Sequence, residues 1–314
     1  MAHIVWDCLG DVGHYMEPFF GSGAVLLNRP GWAPGVKKSE TICDKNGFLA
    51  NVWRGIKLYP DEVAKWCDWP VNHADLMARR NVLIRNKGCL LENLVNDPEW
   101  CDAKLAGYWV WSASCWIGGG ITKKNICSQI PDITSKGRGV HGTSKNGSVC
   151  QRPSLGNKGE GVHGTSKNVY AWFDELSRRL RHVRVVCGDF TRILGGNWQD
   201  SHWDSVGIFF DPPYGVKNRD QDLYDHEHKE DDGKSVTSRV EDWCLERFRK
   251  PKYRIVVAGY ETEYKRLVES GWTTIRWKTG GGYAKPGTRG YENRNRETLF
   301  VSPNCVNQRQ LKLF

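Results

Sequence analysis

The chain has no Cys-x-x-Cys pair, and its 11 cysteines are scattered from Cys8 to Cys305. That spacing argues against a zinc site. An odd, unpatterned set fits free thiols in a reducing compartment better than a disulfide framework. There is no amino-terminal signal peptide and no apolar run long enough to cross a bilayer. A cytoplasmic protein without membrane association is expected, as a monomer or weak dimer. His226 and His228 form an isolated His-x-His among acids. Lacking further spaced ligands, they read as loop, and no metal is expected.

Large apolar groups are nearly absent from residues 129–168, which therefore cannot form a core. This stretch is an internal repeat. Gln129-Ile130-Pro131 leads to Lys136-Gly137-Arg138-Gly139-Val140-His141-Gly142-Thr143-Ser144-Lys145-Asn146, and the pattern returns 22 residues later, from Gln151 to Lys167-Asn168. Two readings stand: a duplicated loop whose Arg138, Lys145 and Lys167 grip DNA, or a surface loop without a specific role. The 45 Lys+Arg against 36 Asp+Glu leave a charge of +9, which suits a polyanionic partner. A length of 314 residues accommodates one large α/β domain and an insertion.

What the chain does contain is a stiff acidic tip. Val206 to Phe210 is an apolar run, read as a short buried strand, and it stops at Asp211-Pro212-Pro213-Tyr214-Gly215. Two adjacent prolines fix φ, so the carboxylate and the aromatic ring are held at the strand's carboxyl end. Open α/β sheets bind ligands there. Such a tip suits methylation of an exocyclic amine, whose lone pair is delocalised into its ring. Asp211 and the Pro212 carbonyl can accept hydrogen bonds from an NH2 group, favouring a tetrahedral nitrogen with a free lone pair. Tyr214 can stack on a base swung out of the duplex. A strand-terminating turn, with Asp as a cap, is the plainer alternative.

Asp211-Pro212-Pro213-Tyr214, with Glu17-Pro18-Phe19-Phe20-Gly21-Ser22-Gly23 far upstream, resembles the Dam-type (D12 class) DNA adenine-N6 methyltransferases. The resemblance spans most of the chain outside its middle third. It implies a Rossmann-like α/β fold of the class I methyltransferases, with a mostly parallel sheet, an inserted target-recognition domain and S-adenosylmethionine as cofactor. Catalysis would fall to Asp211, Pro212, Pro213 and Tyr214. Cofactor binding would fall to Glu17, Pro18, Phe19, Gly21, Ser22, Gly23, Asp44, Asp189, Phe190 and Asp211. The glycine turn would hold the methionine part of the cofactor. Asp44, closing a second strand at Glu40 to Cys43, would take ribose hydroxyls, or else cap the helix from Asn46 to Leu58. Asp189-Phe190, after a strand at Val183 to Val186, would accept from the adenine amino group and pack on its face; the alternative is a helix cap beside a core Phe. The family's aromatic-Gly-Gly-Lys turn ahead of the first strand has no counterpart in Met1 to Gly13. Cytosine-N4 methylation and an inactive DNA-binding descendant are the rival functions.

Between these motifs, residues 61–110 read as helices with Val63, Trp66, Trp69 and Leu76 to Ile84, the aromatics taken as core. Tyr108 to Trp116 is aromatic-rich and runs into Gly118-Gly119-Gly120 and Lys123-Lys124, which suits either a nucleic-acid surface or a small hydrophobic subdomain. Trp172, Phe173, Leu176 and Leu180 share helical spacing and read as core. Further helices are expected at Arg239 to Lys250 and Glu261 to Ser270, a buried strand at Arg254 to Ala258, and paired strands at Trp272 to Trp277 and Glu297 to Val301. The basic, glycine-rich stretch between those strands makes Lys285, Arg289, Arg294 and Arg296 candidate phosphate contacts with double-stranded DNA, alongside Lys123 and Lys124. Domains are placed at 1–60 (cofactor part), 61–168 (insertion), 169–303 (catalytic part) and 304–314 (tail). The tail's Gln310-Leu311-Lys312-Leu313-Phe314 resembles the peptide by which replication proteins bind the bacterial sliding clamp; docking on its own domain is the alternative.

Overall fold

The computed structural model describes residues 1–32, 38–97, 99–115, 121, 168–195, 202–213, 234–277 and 297–306. From the amino terminus come α1 (Ala2–Leu9), β1 (His14–Glu17), α2 (Ala24–Leu27) and β2 (Ser39–Asp44). Five helices follow: α3 (Gly47–Leu58), α4 (Pro60–Cys67), α5 (His73–Asn96), α6 (Ala103–Cys115) and α7 (Val169–Leu180). The chain continues with β3 (Val183–Cys187), α8 (Thr191–Leu194), β4 (Val206–Phe210) and α9 (Val236–Arg247). It ends with β5 (Tyr253–Tyr260), α10 (Lys265–Glu269), β6 (Thr273–Arg276) and β7 (Glu297–Val301). Two compact units result, one of residues 1–45, 182–221 and 226–314, the other of residues 46–181 and 222–225. The second begins before and ends after the insertion expected at 61–168, because α3 packs on α4, α5 and α6, and α7 packs on α3 and α4.

In the first unit seven strands form one sheet in the order β3-β2-β1-β4-β5-β7-β6. The pairs from β3 through β5 are parallel, and β7 alone runs antiparallel, between β5 and β6. This is an α/β protein with a mostly parallel mixed sheet, compatible with a Rossmann-like fold. Every residue of β4 is buried, as a continuous apolar run requires of a strand covered on both faces. Its Val206, Ile208 and Phe210 join a core with Met16, Val240, Tyr253 and Val257. Gly207 turns to the other face, where a Cβ would approach Val12 to 3.0 Å and Leu9 to 3.4 Å. The absent side chain lets α1 and the turn after it lie close to the strand. The helix expected at 261–270 is shorter, Lys265–Glu269, while the carboxyl-terminal strands pair as expected, Thr273 opposite Val301.

His14 begins β1 wholly buried, stacked on Trp203 with ring centroids 5.7 Å apart. Burial, with Arg184 and Arg29 nearby, holds its pKa down to about 4 against an opposing backbone hydrogen bond to Ser39. An unfolded histidine titrates near 6.5, so the fold favours the neutral ring. The resulting stabilisation is fully present above pH ~6.5 and is lost as pH falls to the folded value, a span worth about 3 kcal/mol. Chemical denaturation between pH 7 and 4 should show that decline, and His14→Phe should flatten it. An equally steep decline in the variant would assign it to other groups.

The second unit is helical. Asn46, Asn72 and Asn168 cap α3, α5 and α7, each accepting from a backbone N–H of the first turn. Buried Asn51 exchanges two bonds with half-buried Asp102, Asn51 Nδ2 to the Asp102 carbonyl and the Asp102 N–H to Asn51 Oδ1, both 2.8 Å. Gly107 is where α6 crosses α4. A Cβ there would meet Trp66 Cβ at 2.5 Å and the Val63 carbonyl at 2.7 Å. Gly107→Ala should therefore cost about 1–3 kcal/mol, read as an earlier urea midpoint; an unchanged midpoint would show that the crossing yields freely.

Two aromatic expectations need correction. Trp69 and Trp172 are each 42% exposed. On α7 the buried stripe is Val169, Phe173, Leu176 and Leu180, the spacing of one helix face, and Trp172 stands on its flank. Trp69 lies beyond the end of α4, with its indole N–H donating to Asp75 at 2.7 Å. The core position falls to Trp111 of α6, wholly buried, whose N–H donates to the Trp69 carbonyl at 2.8 Å. The Arg79 guanidinium lies over Trp69, Tyr108 and Trp111, 5.0, 4.4 and 4.4 Å from their centroids.

The nine described cysteines are free thiols. Burial pushes Cys8, Cys43 and Cys67 up to about 12, which makes them poor nucleophiles. Among the described residues no helix is long and apolar enough to cross a membrane.

Candidate active site

β1 lies between β2 and β4, so the strand order reverses beside it. In open α/β sheets this crevice at the strands' carboxyl ends is where ligands bind. Met16 is level with Ile208, and Glu17 with Ile42. Glu17, Asp44, Asp189 and Asp211 thus stand at or just past the carboxyl ends of β1, β2, β3 and β4. One acid per strand end, on four adjacent strands, is the principal feature of this edge.

The turn after β1 is built for close approach. Gly21 and Gly23 have φ of +48° and +69°, a region open to glycine and strained for other residues. A Cβ on Gly23 would strike the Phe20 ring at 2.5 Å, whereas around Gly21 the space is clear. The turn is also tied to the next strand. Phe20 N–H donates to the Cys43 carbonyl at 3.0 Å, and Gly21 N–H donates to Asp44 Oδ2 at 2.9 Å. Asp44 therefore braces the glycine turn, a role distinct from the helix cap, which Asn46 performs through Phe48 N–H. Ser22 is exposed, Pro18 buried, and Phe19 packs on Phe190 and Phe210 at 5.3 and 6.3 Å. The helix beyond the turn is short, Ala24–Leu27.

Glu17 is turned inward rather than toward the turn's open side. It is 3% exposed, and its Oε2 accepts from the Tyr15 hydroxyl at 2.9 Å and from Leu26 N–H at 3.2 Å. Burial raises its pKa well above the usual carboxylate range against those two bonds, and the charges of Asp211 and Asp44 push it further up. The last two effects show that the tips of β1, β2 and β4 lie within electrostatic reach of one another. Tyr15 was not anticipated as a partner, although residues two apart on a strand share a face.

Asp189 and Phe190 take the form of the simpler alternative. Asp189 Oδ1 accepts from Thr191 N–H at 3.0 Å and from Thr191 Oγ1 at 2.6 Å, which caps α8. The carboxylate also receives both Arg239 nitrogens, Nη2 to Oδ1 at 2.9 Å and Nη1 to Oδ2 at 3.1 Å. Burial works to raise its pKa, but the Arg239 and Thr191 bonds outweigh it and hold the group below its ordinary value. Phe190 is a core side chain, 3% exposed, with the Arg239 guanidinium 4.9 Å from its ring centroid. The ring expected to offer a face to a ligand is covered. Arg239, fifty positions from Asp189, has no local sequence signal that pairs it with this acid.

Asp211 is exposed directly after β4, Pro212 is buried and Pro213 half-buried. Asp211's charge is felt by buried Tyr264, whose pKa burial raises well above its usual value, with a smaller contribution from this acid. Tyr214 lies outside the described residues, as do Lys123, Lys124, Arg138, Lys145, Lys167, Lys285, Arg289, Arg294, Arg296 and the Gln310–Phe314 peptide.

Asp44 and Asp211 each add to the rise in the pKa of Glu17; a positive group entering between these strand ends would relieve that repulsion, and the clear space at Gly21 would let a ligand meet the backbone. Among known proteins, no family model matches this chain, and no curated protein matches it.

Proposed function

We propose that the protein is an S-adenosylmethionine-dependent DNA methyltransferase acting on adenine N6. The observation that carries the reading is the rigid Asp211-Pro212-Pro213 tip on β4, next to β1 and its glycine turn at the reversal of strand order. The ligand held at the turn has a sulfonium and an ammonium, which match the acids at the ends of β2 and β4, Asp44 and Asp211. Gly21, Ser22 and Gly23 admit it to the backbone, and Asp44, whose Oδ2 accepts from Gly21 N–H, stands beside the turn to take the ribose hydroxyls. When bound, S-adenosylmethionine supplies an electrophilic methyl group.

The chain's own residues then have three tasks. Asp211 and the Pro212 carbonyl accept hydrogen bonds from the exocyclic NH2, drawing nitrogen toward tetrahedral geometry and releasing its lone pair from the ring. Tyr214 stacks on the extruded base, since the amine is out of reach inside a duplex. Asp211 need not be a strong base, because the proton leaves after the nitrogen has become cationic. Lys123, Lys124, Arg138, Lys145, Lys167, Lys285, Arg289, Arg294 and Arg296 supply phosphate contacts, which makes binding fall steeply with salt.

The test is to incubate unmethylated DNA with the protein and S-adenosylmethionine, digest to nucleosides and identify the product by mass spectrometry. N6-methyladenosine as its deoxynucleoside is the expected product. N4-methylcytosine would move the assignment to the other base with the same chemistry. No modified nucleoside would overturn the reading.

A further inference from the structure

Glu17 is the acid of this sheet edge that the proposed reaction does not use. Its side chain is buried, and both of its hydrogen bonds fall on one oxygen: Oε2 accepts from the Tyr15 hydroxyl at 2.9 Å and from Leu26 N–H at 3.2 Å. Those donors are themselves fixed. Leu26 belongs to the first turn of α2, whose start at Gly23 has no side-chain cap. Tyr15 is wholly buried, its ring centroid 4.7 Å from that of Trp6, and the Trp6 indole N–H donates to the Val25 carbonyl at 2.8 Å. The carboxyl is thus held inward by β1, α1 and α2. Among the described residues no lysine or arginine pairs with it; Arg29 pairs with Glu40 instead. The charges that act on it are those of Asp44, which follows Ile42, the neighbour of Glu17, and Asp211, which follows the neighbour of Met16 on β4. Tyr15 in turn feels Glu40 and Arg29, which have opposite signs. A buried carboxyl with two neutral donors, no cation and two acidic neighbours is favoured in its un-ionised form. Its pKa is accordingly raised well above the usual range, burial being the largest cause.

We infer that Glu17 sets the preference of the site for a sulfonium over a neutral thioether, by holding a proton in the free protein and releasing it to solvent when the cation binds near Asp44 and Asp211. This role rests on the cofactor reading above and goes beyond it, because Glu17 needs no contact with the ligand. A positive charge beside its two acidic neighbours favours the carboxylate, and the carboxylate in turn favours the positive charge. A ligand without the sulfonium gains less from that ionisation. The sign of the linkage follows. At a pH where Glu17 stays protonated in both states, affinity for the sulfonium is flat. It rises with pH while the bound state has lost the proton and the free state keeps it, and it levels once both are ionised.

The probes are S-adenosylmethionine and S-adenosylhomocysteine, which share ammonium, ribose and purine and differ at sulfur, titrated calorimetrically into the full chain. Between about pH 6 and about pH 9 the ratio of the two affinities should move toward S-adenosylmethionine by at least about fivefold, a full proton being worth about tenfold per pH unit. In Glu17→Gln, which keeps an acceptor for Tyr15 and Leu26 but carries no titrating proton, the ratio should stay flat. A generally loosened fold would weaken both compounds without creating or removing a pH dependence. Tyr15→Phe keeps the carboxyl and removes a donor that steadies its anion, so the rise should begin at higher pH; it is the decisive variant if Glu17→Gln does not fold. Infrared difference spectra of the free wild-type protein against Glu17→Gln at neutral pH should show the carbonyl band of an un-ionised carboxyl. Carboxylate bands there, a flat ratio in the wild type, or the same rise in Glu17→Gln would each overturn the role of Glu17 and leave the cofactor reading standing. Binding of neither compound by the wild-type protein overturns both.

Discussion

Replacing Asp211 by alanine should reduce methyl incorporation into DNA by about 100- to 1000-fold, the range for losing one preorganised polar contact to the reacting group. The side chain is exposed, so the substitution should move stability by no more than about 0.5 kcal/mol. Affinity for S-adenosylmethionine should weaken by no more than about fivefold, the scale of one exposed charge facing the cation, because the glycine turn and Asp44 remain. The larger loss belongs in kcat. Asp211→Asn keeps one carbonyl acceptor but turns a donor toward the amine in half of its orientations, and should retain intermediate activity. Radiolabelled methyl transfer gives the rate and calorimetry the affinity. An alanine variant that incorporates label at the wild-type rate would remove the catalytic role from this tip and leave it as a turn.

Breaking one ion pair in the first unit should have the largest effect on stability. Arg29 and Glu40 are 1% and 4% exposed at their side chains, 3.0 Å apart. Arg29 also donates through Nη2 to the Val12 carbonyl and lies 5.3 Å from the Trp6 ring centroid. Arg29→Leu leaves a carboxylate buried without its cation and a carbonyl without its donor, at a cost of about 3–5 kcal/mol. Chemical denaturation should show it as a large fall in midpoint. Arg29→Leu combined with Glu40→Leu removes both charges and should recover most of the loss, since an apolar pair avoids the desolvation of either ion. A single variant within about 1 kcal/mol of wild type would mean that Glu40 simply takes up a proton, and the double variant would then gain nothing.

How much of this was legible in the sequence can be followed strand by strand. β4 was found at its observed bounds because five apolar residues ended by Asp-Pro-Pro leave little else for that segment to be. β3, β5 and the β6–β7 pair were found for similar reasons. The helices of the second unit were visible as a class, but their partners were not. Trp172 and Trp69 looked like core because they are large and apolar, yet which flank of a helix is covered depends on the helix laid against it. The limits of the second unit, at Asn46 and Arg181, follow from the packing of α3 and α7 with the helices between them, which no local pattern announces.

At the candidate site the division is sharper. The positions of the glycine turn, of Asp44 and of Asp211 could be read directly, since each residue type has a backbone or charge consequence of its own. The sequence by itself thus determined where β4 ends and that a stiff acid follows it, because proline rings and apolar runs act within a few residues. Only the tertiary structure decided that Glu17 faces inward to Tyr15, that Asp44 holds the Gly21 amide, and that Asp189 is gripped by Arg239. A carboxylate's work depends on which donors reach it, and here the donor arrives from two, twenty-three or fifty residues away, brought there by the order in which the strands are laid side by side.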